Sequence, residues 1–194
     1  MKRAVYKTNK YTIALVIAFI IVLWAVKAPQ YMWETVQLND YPQKYKNYVS
    51  ACSKEFDVPE QIIYATIKTE SNFRPYARSS AGAVGLMQLM PDTFQWLTDH
   101  MLHENLPLYR RADPYTNIRY GTYMLSWLYE YYGDWEIVFA AYNAGPGRVN
   151  SWLSDDRCSS NGKLTYIPNS ETRAYVQRQL SNIQKYENLY YTGE

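Results

Sequence analysis

The sequence predicts one mostly α-helical domain that follows a single apolar helix at the N-terminus. From Tyr41 onward, apolar residues recur at the spacing of one helical face. The one candidate strand, Lys163 to Ile167, is short and weak. Ahead of this body, the stretch from Thr12 to Val26 contains no charged residue. These three observations predict a helical body with an apolar N-terminal appendage.

The first segment, residues 1–27, has the composition of an export signal. Four cations precede the uncharged stretch and Lys27 follows it. We predict an uncleaved membrane-anchor helix, because Pro29 would directly follow the one loosely acceptable cleavage point. By the positive-inside rule, the protein is then a single-pass protein of the cell membrane with its body extracytoplasmic. A cleaved signal and a buried core helix remain alternatives, since 15 uncharged residues are short against the roughly 20 that a bilayer needs.

Residues 28–40 are predicted to be a short linker, and residues 41–194 to be the domain. Its first two helices are marked by two apolar stripes. The second stripe follows Pro59, whose position suits the first residue of a helix. The members of the stripes are Tyr45, Tyr48, Val49, Cys52 and Phe56, then Ile62, Ile63, Thr66 and Ile67. A polar loop from Asn72 to Ala83 follows, because this stretch concentrates Pro, Ser and Gly.

The later helices are predicted from local start and stop signals. Their positions are a helix from Pro91, a helix from Asp113-Pro114 to Gly133, a helix from Trp135 to Asn143 and a helix from near Ser170. An Asp followed by Pro is the signature of a helix start, and Gly is a frequent stop. We expect Gly145-Pro146-Gly147 to end the third of these helices, and a loop to run from Ser154 to Pro168.

The net charge of +2 conceals two unlike parts of the 194-residue chain. Five of the 20 Lys and Arg residues lie in the first 33 positions, where no Asp or Glu occurs. The remaining chain therefore has 15 basic and 18 acidic residues. A body of about −3 offers no basic surface for nucleic acid, so we exclude that class of partner.

Glu70 is the first candidate for catalysis. It continues the apolar stripe of Ile63 and Ile67, which predicts a partly buried carboxyl group near the end of a helix. Burial and the helix dipole both raise the pKa of a carboxyl group at this position. A carboxylic acid that is protonated near neutral pH is suited to act as a general acid. The alternative is an exposed Glu that begins the following loop.

Three further clusters combine shaped backbone with polar side chains. GLMQLMP places Gln88 in an apolar run, AAYNAGPG places a Tyr and an Asn before a forced turn, and SETRAY places Glu171 and Tyr175 one turn apart on a helix. Each cluster alone has an ordinary structural explanation: a core turn, a helix stop or a first helical turn.

In combination, ESNF, GLMQLMP, AAYNAGPGRV and IPNSETRAYV resemble the catalytic domain of the lytic transglycosylases, the soluble lytic transglycosylase-like family of the lysozyme superfamily. The resemblance extends roughly from Tyr41 to Leu180. It implies a lysozyme-like helical fold and makes Glu70 the sole catalytic acid and base. It places Ser79 near the acetamido group of the substrate.

The resemblance also implies a lining for the cleft. Gln88 and Met90 would border it, and the substrate-binding set would be completed by Tyr142, Asn143, Glu171 and Tyr175. Glu70 would cleave the bond between N-acetylmuramic acid and N-acetylglucosamine without water, leaving 1,6-anhydro ends. The expected partners are peptidoglycan strands and, through the N-terminal helix, the membrane. Partners in an envelope complex stay unidentified.

Two other functions remain open at this point. A goose-type-like muramidase would use the same Glu70 to activate water. A non-catalytic peptidoglycan-binding scaffold of an envelope machine would be expected to lack Glu70 or to have damaged cleft motifs, and neither is seen.

No cofactor is expected and no metal site is predicted. His100 and His103 lie beside Asp99 and Glu104, but no third ligand for a metal is evident. The only two cysteines, Cys52 and Cys158, could form a bridge or stay as two separate thiols.

Overall fold

The computed structural model describes the backbone of residues 10–192 and the side chains of the same range, except at positions 10–12, 26 and 29–34. The described chain forms two compact units, with the boundary between Pro42 and Gln43. The start of the predicted cytoplasmic tip, residues 1–9, lies outside the described residues.

The first unit contains one helix, α1 (Lys10–Asp40). This helix includes residues 28–40, so the predicted linker is helical in its backbone. Large apolar side chains between Ile13 and Trp24 are exposed. Among the described residues, no helix is both long and apolar enough to cross a membrane, so the predicted transmembrane span is not supported.

The second unit is mostly helical, which confirms the predicted class. Its helices are α2 (Lys46–Phe56), α3 (Glu60–Ser71), α4 (Pro91–Trp96), α5 (Pro114–Tyr132), α6 (Trp135–Ala144), α7 (Pro146–Leu153) and α8 (Ser170–Tyr186). Short π-helical turns cover Leu97–Met101 and Glu187–Tyr191, and a 3-10 turn covers Leu108–Ala112. The antiparallel hairpin β1 (Ser159–Ser160) and β2 (Lys163–Leu164) pairs Ser159 with Leu164. The weak strand candidate is thus a two-residue strand.

The predicted start and stop signals are found at several helix ends. Asp113 caps α5 by accepting a hydrogen bond from the backbone N–H of Thr116 at 3.0 Å, and Pro114 is its first residue. Gly133 ends this helix with a φ of 66°, a left-handed conformation that glycine adopts without strain. Asn169 caps α8 in the same way as Asp113 caps α5. Local chemistry therefore sets the bounds of both helices.

The predicted end of α6 is confirmed, and it is followed by a helix that was not predicted. Gly145, with a φ of 88°, ends α6, and Pro146 is the first residue of α7. Proline has no N–H to lose in a first helical turn, and its fixed φ suits that position. The Gly-Pro-Gly motif therefore marks a corner between two helices.

The core of the second unit forms where α3 and α6 pack against α8, and where α5 packs against α2 and α6. It contains the second predicted stripe and large fully buried side chains, among them Ile63, Ile67, Leu125 and Phe139. Of the first predicted stripe, Val49 and Cys52 are buried, whereas Tyr48 is exposed. Cys52 and Cys158 are both buried in this unit, and both are free thiols. This packing brings the end of α3 against α8.

Candidate active site

The centre of the site is the carboxyl group of Glu70, in the last turn of α3. The hydroxyl of Tyr175, on α8, donates a hydrogen bond of 2.7 Å to Oε1 of Glu70. Tyr175 is buried, with 3% of its surface exposed. The packing of α3 on α8 thus joins two residues that are far apart in the sequence.

The environment of Glu70 favours its protonated form. Burial raises its pKa from 4.5 to about 7, while the hydrogen bond from Tyr175 and the positive charge of Arg178 oppose that rise. A carboxyl group with such a pKa exists in both protonation states at neutral pH. It can therefore give up a proton and take one back.

Behind this pair lies a set of buried polar contacts that sequence reasoning did not find. Gln179 is fully buried, and its Nε2 donates to the hydroxyl oxygen of Tyr175 at 3.0 Å. The same nitrogen donates to Oγ1 of Thr66 at 3.2 Å. The amide is thereby fixed between α3 and α8.

The GLMQLMP motif forms a tight turn that is held from α5 by Asn117. Oδ1 of this buried Asn accepts a hydrogen bond from Met87 N at 2.7 Å. Its Nδ2 donates to Val84 O at 2.9 Å and to Arg111 O at 2.6 Å. Sequence reasoning did not single out Asn117, although its place in the buried face of a helix was a signal.

Gly85 makes the close approach between this turn and Asn117 possible. Its φ is +93°, and a Cβ added there would lie 2.6 Å from Cγ of Asn117. A contact under 3.0 Å is not tolerated without movement of the neighbouring group. The turn therefore requires a residue without a side chain at this position.

Tyr142 connects α6 to the same turn. Its hydroxyl donates a hydrogen bond of 2.9 Å to Met87 O. Burial, with a further contribution from the charge of Glu70, raises the pKa of Tyr142 well above its ordinary value, so this phenol stays protonated. The adjacent Asn143 accepts a hydrogen bond of 2.8 Å from Oγ1 of Thr172, which ties α6 to the start of α8.

Gln88 and Met90 line one pocket together with Tyr142. The side chain of Gln88 braces the turn, because its Nε2 donates to Ala77 O at 3.1 Å and to Gly85 O at 2.9 Å. Met90 is more exposed, with 39% of its surface accessible. Gln88 and Met90 thus share one pocket, and their contact with substrate stays a prediction.

Ser79 and Glu171 complete the predicted substrate-binding set. Ser79 is exposed, and its Oγ accepts a hydrogen bond of 3.0 Å from Ala83 N within the loop. Glu171 is exposed in the first turn of α8. None of the hydrogen bonds between described residues joins either side chain to Glu70.

Glu104 and His103, near position 100, have structural partners. Glu104 accepts hydrogen bonds from Arg119 at 2.5 Å and from Tyr120 at 2.8 Å. His103 Nδ1 lies 3.1 Å from Asp99 O. Over the part of the chain that the structure describes, no group of three or more His, Cys, Asp or Glu residues could hold a metal ion.

Known proteins are similar to most of this chain. The profile of the Transglycosylase SLT domain matches residues 47–164. The soluble lytic murein transglycosylase of Escherichia coli (strain K12) is 34% identical over 157 residues, which cover 77% of this chain and 24% of that protein. The membrane-bound lytic murein transglycosylase C of Serratia proteamaculans is 32% identical over 174 residues, which cover 76% of this chain and 48% of that protein.

Solved structures show the same fold. The 70 kDa soluble lytic transglycosylase of Escherichia coli superposes with a TM-score of 0.71 and 32% identity, over 81% of this chain and 26% of that one. The chain thus spans less than half the length of these relatives. The expected lysozyme-like helical fold is confirmed, and the chain belongs to the Transglycosylase SLT domain family.

Proposed function

We propose that this chain is a peptidoglycan lytic transglycosylase in which Glu70 acts first as the acid and then as the base. The observation that carries the proposal is the pKa of about 7 at a buried carboxyl group that Tyr175 holds by a hydrogen bond. Membership of the family and the relatives named lytic murein transglycosylases support it. Residues 41–194 are proposed as the catalytic domain.

In the first step, protonated Glu70 gives its proton to the oxygen that joins N-acetylmuramic acid to N-acetylglucosamine. The bond from the anomeric carbon to this oxygen breaks, and N-acetylglucosamine leaves with a new hydroxyl group. The 2-acetamido group of the muramic acid stabilises the positive charge that develops at the anomeric carbon, as in substrate-assisted glycosidases. The ionised Glu70 keeps its hydrogen bond from Tyr175.

In the second step, the 6-hydroxyl of the same muramic acid attacks the anomeric carbon. Its proton passes to Glu70, and a bond from the anomeric carbon to oxygen 6 closes the 1,6-anhydro ring. The carboxyl group is regenerated in its protonated form, so one residue completes the cycle without a cofactor or water. An intramolecular nucleophile also gains from proximity.

The other predicted residues are proposed to bind the glycan in two different ways. Gln88, Tyr142 and Asn143 use polar atoms to hold the turn, α6 and α8 together, so they shape the groove. Met90, at its border, is exposed enough to touch a sugar ring. Ser79 and Glu171 are exposed, so their side chains are open to direct contact with the strand.

The decisive test is Glu70→Gln with purified peptidoglycan as substrate. We expect loss of cleavage with unchanged folding, while Glu130→Gln, at an exposed position of α5, keeps full activity. Mass spectrometry of the wild-type digest should show 1,6-anhydro ends. An active Glu70→Gln variant would refute the proposal. Hydrated reducing ends would indicate the muramidase, and binding without cleavage by the wild type would indicate the scaffold.

We also propose that α1 attaches the enzyme to a membrane, with the second unit on the extracytoplasmic side. The support is the exposed apolar surface from Ile13 to Trp24 and the cations that precede it in the sequence. Residues 28–40 would then act as a helical spacer. Cell fractionation tests this: the wild type should sediment with membranes, and Ile17→Lys with Ile20→Lys should release it. A wild type found in the soluble fraction would contradict the attachment.

A further inference from the structure

The amide of Gln179 is the junction of a buried hydrogen-bond chain between α3 and α8. It contacts Tyr175 and Thr66 through Nε2, and its Oε1 accepts a hydrogen bond of 3.3 Å from Oγ1 of Thr69. Gln179 is fully buried, so water does not compete for these contacts. Asn182 lengthens the chain, since its Nδ2 donates to Oγ1 of Thr69 at 2.8 Å.

The two threonines leave only one orientation for the amide. Thr66 gives its hydroxyl proton to Ile62 O at 2.8 Å, so its oxygen can only accept, and it accepts from an N–H of Gln179. Thr69 accepts a hydrogen bond from Asn182, so its own proton is free to be donated to Oε1 of Gln179. A hydroxyl group has one proton to donate, which fixes the direction of each bond.

This orientation determines what the hydroxyl of Tyr175 can do. Its oxygen receives an N–H from Gln179 at 3.0 Å, so its single proton is directed to Oε1 of Glu70 at 2.7 Å. Successive hydrogen bonds polarise one another, and a phenol that accepts one bond donates a stronger one. Tyr175 is therefore held as a donor toward the carboxyl group.

We propose that Gln179 is a positioning residue that keeps Tyr175 as a permanent hydrogen-bond donor to Glu70, and so stabilises the ionised carboxylate between the two proton transfers. The inference rests on the proposed role of Glu70 as acid and base. Gln179 does not touch the substrate; it acts through Tyr175. None of the sequence motifs pointed to it, because the threonines that fix its amide lie on another helix.

The direction of its effect follows from the groups that face Glu70. Tyr142 approaches from α6, and Tyr175 and Arg178 approach from α8. Burial raises the pKa of Glu70, whereas Tyr175 and Arg178 lower it. A weaker bond from Tyr175 removes part of the lowering influence. Loss of the Gln179 amide should therefore raise the pKa of Glu70.

The test compares Gln179→Met, which keeps the length of the side chain but has no N–H, with Gln177→Met on the exposed part of the same helix. Carbon-13 NMR of labelled Glu side chains gives the pKa of Glu70 directly. We expect an upward shift of roughly 0.1–0.7 unit in Gln179→Met, since one hydrogen bond strengthens the next by about 10–30% and a bond to a charged group contributes roughly 1.5–3 kcal/mol. No shift is expected in Gln177→Met. The pH profile of peptidoglycan cleavage should move by the same amount.

A double variant separates positioning from a general structural effect. In a Tyr175→Phe background, Gln179→Met should cause no further shift, because the hydroxyl through which it acts is gone. Thr69→Val supplies a milder variant if Gln179→Met does not fold, and a smaller upward shift is expected. An unchanged pKa in both Gln179→Met and Thr69→Val, or an equal shift with and without the Tyr175 hydroxyl, would overturn the inference. Because NMR titration needs no substrate, failure of the proposed function shows separately, as a wild type that does not cleave.

Discussion

The hydroxyl of Tyr175 lies 2.7 Å from Oε1 of Glu70 and donates a hydrogen bond to it. This contact joins α8 to the end of α3 and opposes the effect of burial on the carboxyl group. Burial alone would favour a permanently protonated acid, which could not take a proton back. The balance between burial and this hydrogen bond gives Glu70 access to both states near neutral pH.

Removal of this hydrogen bond should make Glu70 a weaker acid. In Tyr175→Phe, we expect the pKa of Glu70 to rise by about 1 unit. A hydrogen bond to a charged group contributes roughly 1.5–3 kcal/mol, and movement of neighbouring groups compensates for part of its loss. Because Glu70 must be protonated at the start of the reaction, the alkaline limb of the pH profile of peptidoglycan cleavage should shift to higher pH. Tyr131→Phe, at an exposed position, serves as the control, and an identical profile for both variants would contradict the role of the contact.

The raised pKa of Glu70 also predicts how stability depends on pH. The pKa in the folded state is about 7 against an ordinary 4.5, so the folded protein binds the proton more tightly than the unfolded chain does. Its contribution to stability is fully present below pH 4.5 and is lost as the pH rises through 7. The loss amounts to about 3 kcal/mol at most, at 1.36 kcal/mol per pKa unit.

Glu70→Gln removes this titration and should therefore gain stability relative to the wild type as the pH rises. Urea unfolding of both proteins at pH 5 and pH 8 measures the change. We expect the difference in the free energy of unfolding to grow by about 2 kcal/mol in favour of Glu70→Gln between these values. With Glu130→Gln as the exposed control, a difference that does not change with pH would show that Glu70 titrates normally.

The sequence is informative where the signal is local. The stripe of Ile63, Ile67 and Glu70 predicts a carboxyl group on a core-facing helix, and the cap-and-proline signals locate the starts of α5 and α8. Such features depend on residues within one or two helical turns of each other. They can therefore be read without knowledge of which elements pack together.

The site residues that the sequence did not identify have partners that lie far away in the sequence. Asn117 acts on backbone groups of a turn more than a helix away in the sequence, and Gln179 binds Thr66 across the α3–α8 interface. Both lie on the buried faces of helices, but the sequence around them does not show which groups they bind. Helix α7 was not predicted, because a proline that follows the end of one helix also suits the first turn of another.

Asn117 is predicted to be essential for the shape of the groove. Asn117→Ala leaves Met87 N and Arg111 O without their partner, while Val84 O keeps the hydrogen bond from Leu89 N at 3.1 Å. We expect a loss of about 2–4 kcal/mol in the free energy of unfolding, since each buried group left unpaired costs roughly 1–3 kcal/mol and part is recovered by relaxation. Asn47→Ala, at an exposed site of α2, should change stability by less than about 0.5 kcal/mol. Equal unfolding curves for the two variants would contradict the assignment.

Gly85 is predicted to resist even the smallest substitution. In Gly85→Ala, the new methyl group would meet Asn117 at 2.6 Å from its Cγ, on a backbone with a φ of +93°. Both effects destabilise the turn, and we expect a loss of at least about 2 kcal/mol, because a strained conformation alone costs on the order of 1–3 kcal/mol. Cleavage should fall with it, since Tyr142 is anchored on Met87 O in the same turn.

Gly147→Ala provides the matched control for this prediction. Gly147 lies in α7, and a Cβ there meets no atom within 4 Å. Alanine is favoured over glycine in a helix by up to about 1 kcal/mol, so this variant should be as stable as the wild type or slightly more so. Urea unfolding and peptidoglycan cleavage, measured in parallel for Gly85→Ala and Gly147→Ala, test the prediction. If Gly85→Ala folds and cleaves as well as Gly147→Ala, the close approach of the turn to Asn117 does not shape the groove.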